Sequence, residues 1–118
     1  MPIDKKSFES PDETRKFDKG RVDVVTLGDH VFGRATFEPG WKWSECVKPI
    51  AGTDSCEAHH NGYIESGRMH VVMDDGGEVD LGPGDAFVIP PGHDAWIVGA
   101  EPCVAYDFAP GIATYAKG

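Results

Sequence analysis

Between residues 54 and 60 the chain reads DSCEAHH, and a further histidine, His93, follows a Pro-Pro-Gly turn. Carboxylate, thiol and imidazole groups at this density are donors for a divalent transition metal, and two imidazoles with a thiolate suit Zn²⁺. Positions 54, 56 and 60 share parity, as do 93 and 95, so on extended chain each set points to one face. Cys56, His60 and His93 are therefore candidate metal ligands, with Asp54 or water as a fourth. His59 has the opposite parity and joins them only if the strand bulges at Gly62. The competing reading of His60 and His93 is a hydrogen-bonded imidazole pair in a polar setting. His30 and His70 are read as solvent-facing or second-sheet residues. Trp41 and Trp43, two apart in PGWKWSE, are candidate pocket-lining side chains or wall packing, and the Tyr63 hydroxyl is within reach of the same site.

Short strands must position such a site. Runs rich in β-branched and aromatic residues recur along the chain: RVDVVTL, VFGRATF, GYIES, RMHVVM, EVDL, AFVI, AWIV and CVAYDF. Between them stand turn clusters, including Asp74-Asp75-Gly76-Gly77 and Gly82-Pro83-Gly84-Asp85. Ser10-Pro11-Asp12-Glu13 carries an N-cap and capping-box signal with Gly20 as a stop, so at most one short N-terminal helix is expected. The remainder reads as all-β, a sandwich or small closed antiparallel barrel able to hold a ligand or metal at its mouth. The stretch APGIATYAKG is expected to be peripheral, with Tyr115 able to pin it.

The 118 residues fit one domain, 1–118, with a core over about 21–109. Eleven Lys and Arg against twenty Asp and Glu give a net charge of −9, which repels nucleic acid and anionic membrane surfaces. MPIDKKSFES lacks the apolar run of an export signal, so a cytoplasmic location is expected. Three cysteines, Cys46, Cys56 and Cys103, are then read as free thiols.

Two glycine- and proline-bearing patterns carry a resemblance. Gly84, five residues, Pro90, Pro91 and Gly92 stand at the spacing of the second motif of the cupin superfamily, and Gly67 stands where its first motif closes. The chain from about 40 to 109 thus resembles a small single-domain cupin. The resemblance implies a double-stranded β-helix barrel of jelly-roll type, often holding Fe, Mn, Ni or Zn. Its ligand positions fall on Asp54, Cys56, His60 and Ala95, none the residue usual for the family, and its asparagine position falls on Gly99. What is implied is a site shifted onto Cys56, His60 and His93.

Three functions follow as expectations: a metal-dependent enzyme of oxygenase or isomerase type acting on a small molecule, a ligand-binding or sensing module without turnover, and a structural barrel without metal. The resemblance and the early strands also imply a homodimer.

Overall fold

The computed structural model describes residues 3–108 and 110–117. Among the described residues nine strands form two antiparallel sheets. Strands β1 (Glu13–Phe17), β2 (Gly20–Leu27), β3 (His30–Phe37), β9 (Cys103–Phe108), β4 (His60–Ser66) and β7 (Ala86–Ile89) lie in that spatial order, and β6 (Glu78–Leu81), β5 (Met69–Met73) and β8 (His93–Ile97) make the second sheet.

Side-chain alternation decides what each strand contributes. On β8, His93, Ala95 and Ile97 are buried while Asp94 and Trp96 are less so, and on β9 the same holds for Cys103, Ala105 and Asp107. These inward rows meet those of β3, β4 and β5, including Ala35, Phe37, Ile64, Met69 and Val71, to close the core. Fully burying one such branched side chain is worth about 1.5–3 kcal/mol, so the facing rows are what hold the sheets together. Gly62 permits the closest strand approach near the site: a Cβ there would lie 1.8 Å from the carbonyl oxygen of Tyr106 on β9.

Three sequence expectations are corrected. The segment with helix-start signals is strand β1, paired from Glu13↔Val24 to Phe17↔Gly20 across the Asp18-Lys19 turn, with Lys19 at φ 59°. A ladder along β2 and an inward Arg15 outweigh a local capping pattern, and Ser10 instead lies in a turn that closes onto Ser7. The helices present are two single turns elsewhere, α1 (Trp43–Cys46) and α2 (Lys48–Ala51), so Trp41 and Trp43 are not on one extended stretch. The 110–117 segment is packed rather than peripheral: a 3₁₀ turn over Gly111–Ala113 leads to Tyr115, and Ile112 and Tyr115 belong to the core. Among the described residues no helix is long and apolar enough to cross a membrane.

Candidate metal centre

His60 opens β4 in the larger sheet and His93 opens β8 in the smaller one. Cys56 precedes β4 and is tied to His93 by an isolated bridge, its N–H donating to the His93 carbonyl at 2.8 Å. The carbonyl of Cys56 in return accepts from Gly92 N–H at 2.8 Å. This backbone tie places a loop residue beside two strand-end histidines. All three side chains are buried, and one sulfur and two ring nitrogens lie within 4.8 Å of one another.

Each imidazole is oriented from behind. His60 Nδ1–H donates to Asp107 Oδ2, while the other carboxylate oxygen accepts from the N–H groups of Asn61 at 3.1 Å and Phe108 at 2.9 Å. His93 Nδ1 lies 2.8 Å from the Pro90 carbonyl, which only accepts, so Nδ1–H is the donor of that pair. Carboxylate and carbonyl partners of this kind fix the tautomer and raise the basicity of a ligating histidine. His60 Nε2 faces Cys56 Sγ at 3.6 Å, and the two rings have centroids 5.3 Å apart. Bonds of about 2.3 Å to sulfur and about 2.0–2.1 Å to nitrogen at a tetrahedral angle set S and N about 3.6 Å apart, so the Cys56–His60 pair is spaced for Zn²⁺.

The electrostatics favour charge separation between thiol and imidazole. Burial pushes the Cys56 thiol up, but hydrogen bonds and positive charge from His60 and His93 outweigh it and hold the thiol down at about 6. Burial likewise opposes protonation of His60, and Asp107 with Cys56 overcomes it, raising the imidazole to about 9. Cys103, buried without such partners, is pushed up to about 11. The contrast between two buried cysteines isolates the effect of the histidines.

A cavity of about 50 Å³ adjoins these groups. Its wall is mostly apolar, with Phe37, Ile64, Met69, Ile89 and Ala95 among its side chains, and Trp41, Trp43 and Tyr115 also line it. The other candidates lie apart. Asp54 is fully exposed, 3.9 Å from Lys48 Nζ, because the loop ahead of Cys56 turns into solvent. His59 is half-buried outside the cluster; β4 pairs in regular register through Gly62, and its irregularity falls later, between Ile64 and Ser66. Tyr63 points outward, 42% exposed and stacked on Tyr106 at 5.1 Å, since its parity is opposite to that of His60 and Ile64. Asp107, Arg15 and the Pro90 carbonyl were not singled out from sequence. Asp107 had a signal: a carboxylate in phase with Cys103 and Ala105 on an apolar strand face.

A nine-stranded double-sheet barrel with histidines at one end of its core is the architecture of a cupin, and the cupin domain family model matches residues 43–109. The chain belongs to the cupin family. It is similar in structure to the polyketide cyclase RemF from Streptomyces resistomycificus, at 18% identity and TM-score 0.66 over 92% of this chain and 80% of that one. A Rhizobium leguminosarum protein of unknown function is 20% identical with TM-score 0.61, covering 93% and 99% of the two chains. KdgF from a Halomonas species is 26% identical with TM-score 0.54 over 79% and 82%. No curated protein sequence matches the chain.

Proposed function

We propose that this cupin holds a divalent transition metal on Cys56, His60 and His93 and acts on a small, largely apolar molecule in the adjoining cavity. The observation that carries the reading is the convergence of one sulfur and two ring nitrogens within 4.8 Å, with both imidazoles already oriented by acceptors behind them. The donor set fits Zn²⁺ better than iron, because a thiolate stands where oxygen-activating iron sites of the two-histidine type carry a carboxylate. Isomerase-type chemistry is accordingly favoured over oxygenation. A bound ion supplies Lewis acidity there, polarising a carbonyl or lowering the pKa of water.

The chain's own residues supply the rest. Phe37, Ile64, Met69 and Ile89 exclude water from the reacting group and select an apolar body. Trp41 lines the cavity, and its indole N–H is buried without an acceptor among the described residues. An unmet buried donor costs about 1–3 kcal/mol, so Trp41 favours a ligand bearing an oxygen acceptor.

Metal analysis of untagged protein grown with added zinc is the test. About one equivalent per chain is expected, lost in Cys56→Ser and His93→Ala. Background metal in the parent protein sinks the reading.

A second reading rests on the order Cys56 Sγ, His60 Nε2, His60 Nδ1, Asp107 Oδ2, which is that of a thiol activated by an imidazole and oriented by a carboxylate. Its mark is turnover of an acyl substrate that survives chelation.

We also propose a homodimer formed through the larger sheet. Support comes from β7, the terminal strand of that sheet, where Val88 is 67% exposed on the same face as Tyr63.

A further inference from the structure

Two hollows meet at Cys56. The inner cavity and an outer groove of about 590 Å³ share three lining residues, Trp43, Cys56 and Tyr115, which form the partition between them. Val47, between the two helical turns, and Ile50 and Ala51 of α2 supply one lip of the groove, and residues 114–117 supply the other. Tyr115 stands edge-on to His60 with ring centroids 5.2 Å apart, so its ring covers the imidazole from the groove side.

The segment bearing Tyr115 is not part of either sheet. Its own backbone bonds are short-range, from Ala113, Thr114, Tyr115 and Lys117 to residues three or four before them. Attachment to the barrel comes from side chains and close packing. Arg15, inward on β1, donates to the carbonyls of Ile112 at 2.9 Å, Tyr115 at 2.8 Å and Ala113 at 3.0 Å. Glu13 grips the same guanidinium at 3.0 and 3.1 Å. Ile112 fills the space above Gly33, where a Cβ would lie 2.3 Å from Ile112 Cγ1. The segment is held by the Arg15 guanidinium, by Ile112 over Gly33, by Gly111 against the His59 carbonyl and by the Tyr115 ring against Phe17 and His60. It has no strand ladder on either side, and such a stretch opens locally at lower cost than a strand paired on both sides.

We infer that residues 111–117 are a lid, that Tyr115 is the gate between the outer groove and the cavity, and that Arg15 is the latch setting how often the gate opens. A small ligand enters past Trp43 and Tyr115 and meets Cys56 first. The latch lies on β1, remote in sequence from every ligand candidate, so opening responds to Arg15 without any change at Cys56, His60 or His93. The inference rests on the partition and not on a bound ion, so it stands or falls separately from the metal reading.

Metal-free protein treated with iodoacetamide tests it, with peptide mapping to follow each cysteine. Arg15→Met removes the latch, and Gly33→Ala dislodges Ile112 from the opposite side. Arg15→Met is expected to speed alkylation of Cys56 about tenfold or more, since a single bond to a charged donor is worth about a factor of ten, and Gly33→Ala is expected to change the rate in the same direction. Cys103, fully buried on β9, reports opening of the barrel and is expected to keep its rate. An unchanged Cys56 rate in both variants overturns the lid, as does a matching rise at Cys103. A rise with Gly33→Ala but not with Arg15→Met overturns the latch.

Discussion

Asp107 stands directly behind His60, taking the Nδ1 hydrogen on one carboxylate oxygen while two backbone N–H groups hold the other. The ring is thereby turned with Nε2 toward Cys56 Sγ, and the pair forms the axis of the site. Removing the charge but keeping the shape, Asp107→Asn, is expected to lower zinc affinity about 10- to 100-fold, the usual cost of losing such a partner. Competition with a chromophoric chelator measures it, and circular dichroism checks that the barrel persists. Unchanged affinity would show that Asp107 serves packing alone.

The three ligand candidates should act as a set. Cobalt-substituted protein is expected to show a thiolate charge-transfer band that Cys56→Ser abolishes and His93→Ala shifts or weakens. His70→Ala is the control: that imidazole lies on the outer face of β5 against Asp80 and Glu78, away from the cavity. A band that survives Cys56→Ser excludes sulfur from the coordination sphere.

Proton linkage gives a further expectation. The Cys56 thiol is depressed to about 6 in the folded protein against an ordinary value of 9.0. A depressed acid adds stability that is fully present above its unfolded pKa and is lost as pH falls through the folded one. His60 is raised to about 9 from 6.5, so its contribution is fully present below 6.5 and is lost as pH rises through about 9. Between about 6.5 and 9 the gain from Cys56 and the loss from His60 run in opposite directions and nearly cancel, so the metal-free protein should show a nearly flat melting temperature across that window. Thiolate ultraviolet absorbance should titrate near 6 and move up in His60→Gln. A midpoint near the ordinary thiol value in the parent protein would remove the imidazole's influence.

The outer sheet face provides an expectation independent of the site. Val88→Asp on the terminal strand β7 should convert a dimer to a monomer by light scattering without altering metal uptake. A parent protein that is already monomeric at micromolar concentration refutes the pairing.

Most strands were legible because period-two alternation and Gly/Pro turns are local signals, visible in CVAYDF and RMHVVM alike. Parity put Cys56 and His60 in one set and His93 in another, and the structure places the ligand atoms of all three within 4.8 Å of one another. Parity failed at Asp54, because the chain ahead of Cys56 is a loop without strand phase. It was set aside at Tyr63, whose odd number on β4 puts it outside. The capping pattern at Ser10 misled because hairpin pairing with β2 is a nonlocal gain that no window around Ser10 contains. Arg15 was illegible for the same reason: its three acceptors lie 97, 98 and 100 residues away.

The tie between Cys56 and His93 joins a residue leading into the six-stranded sheet to the first residue of a strand in the three-stranded one. An ion shared by Cys56, His60 and His93 would act as a rivet across that seam. Its binding energy would then enter the cohesion of the whole barrel, adding RT ln(1 + [L]/Kd) to the unfolding free energy, about 2.7 kcal/mol at a hundredfold excess over Kd. Amide exchange along β8 should slow on loading, a mechanical signature of the centre that needs no substrate to observe.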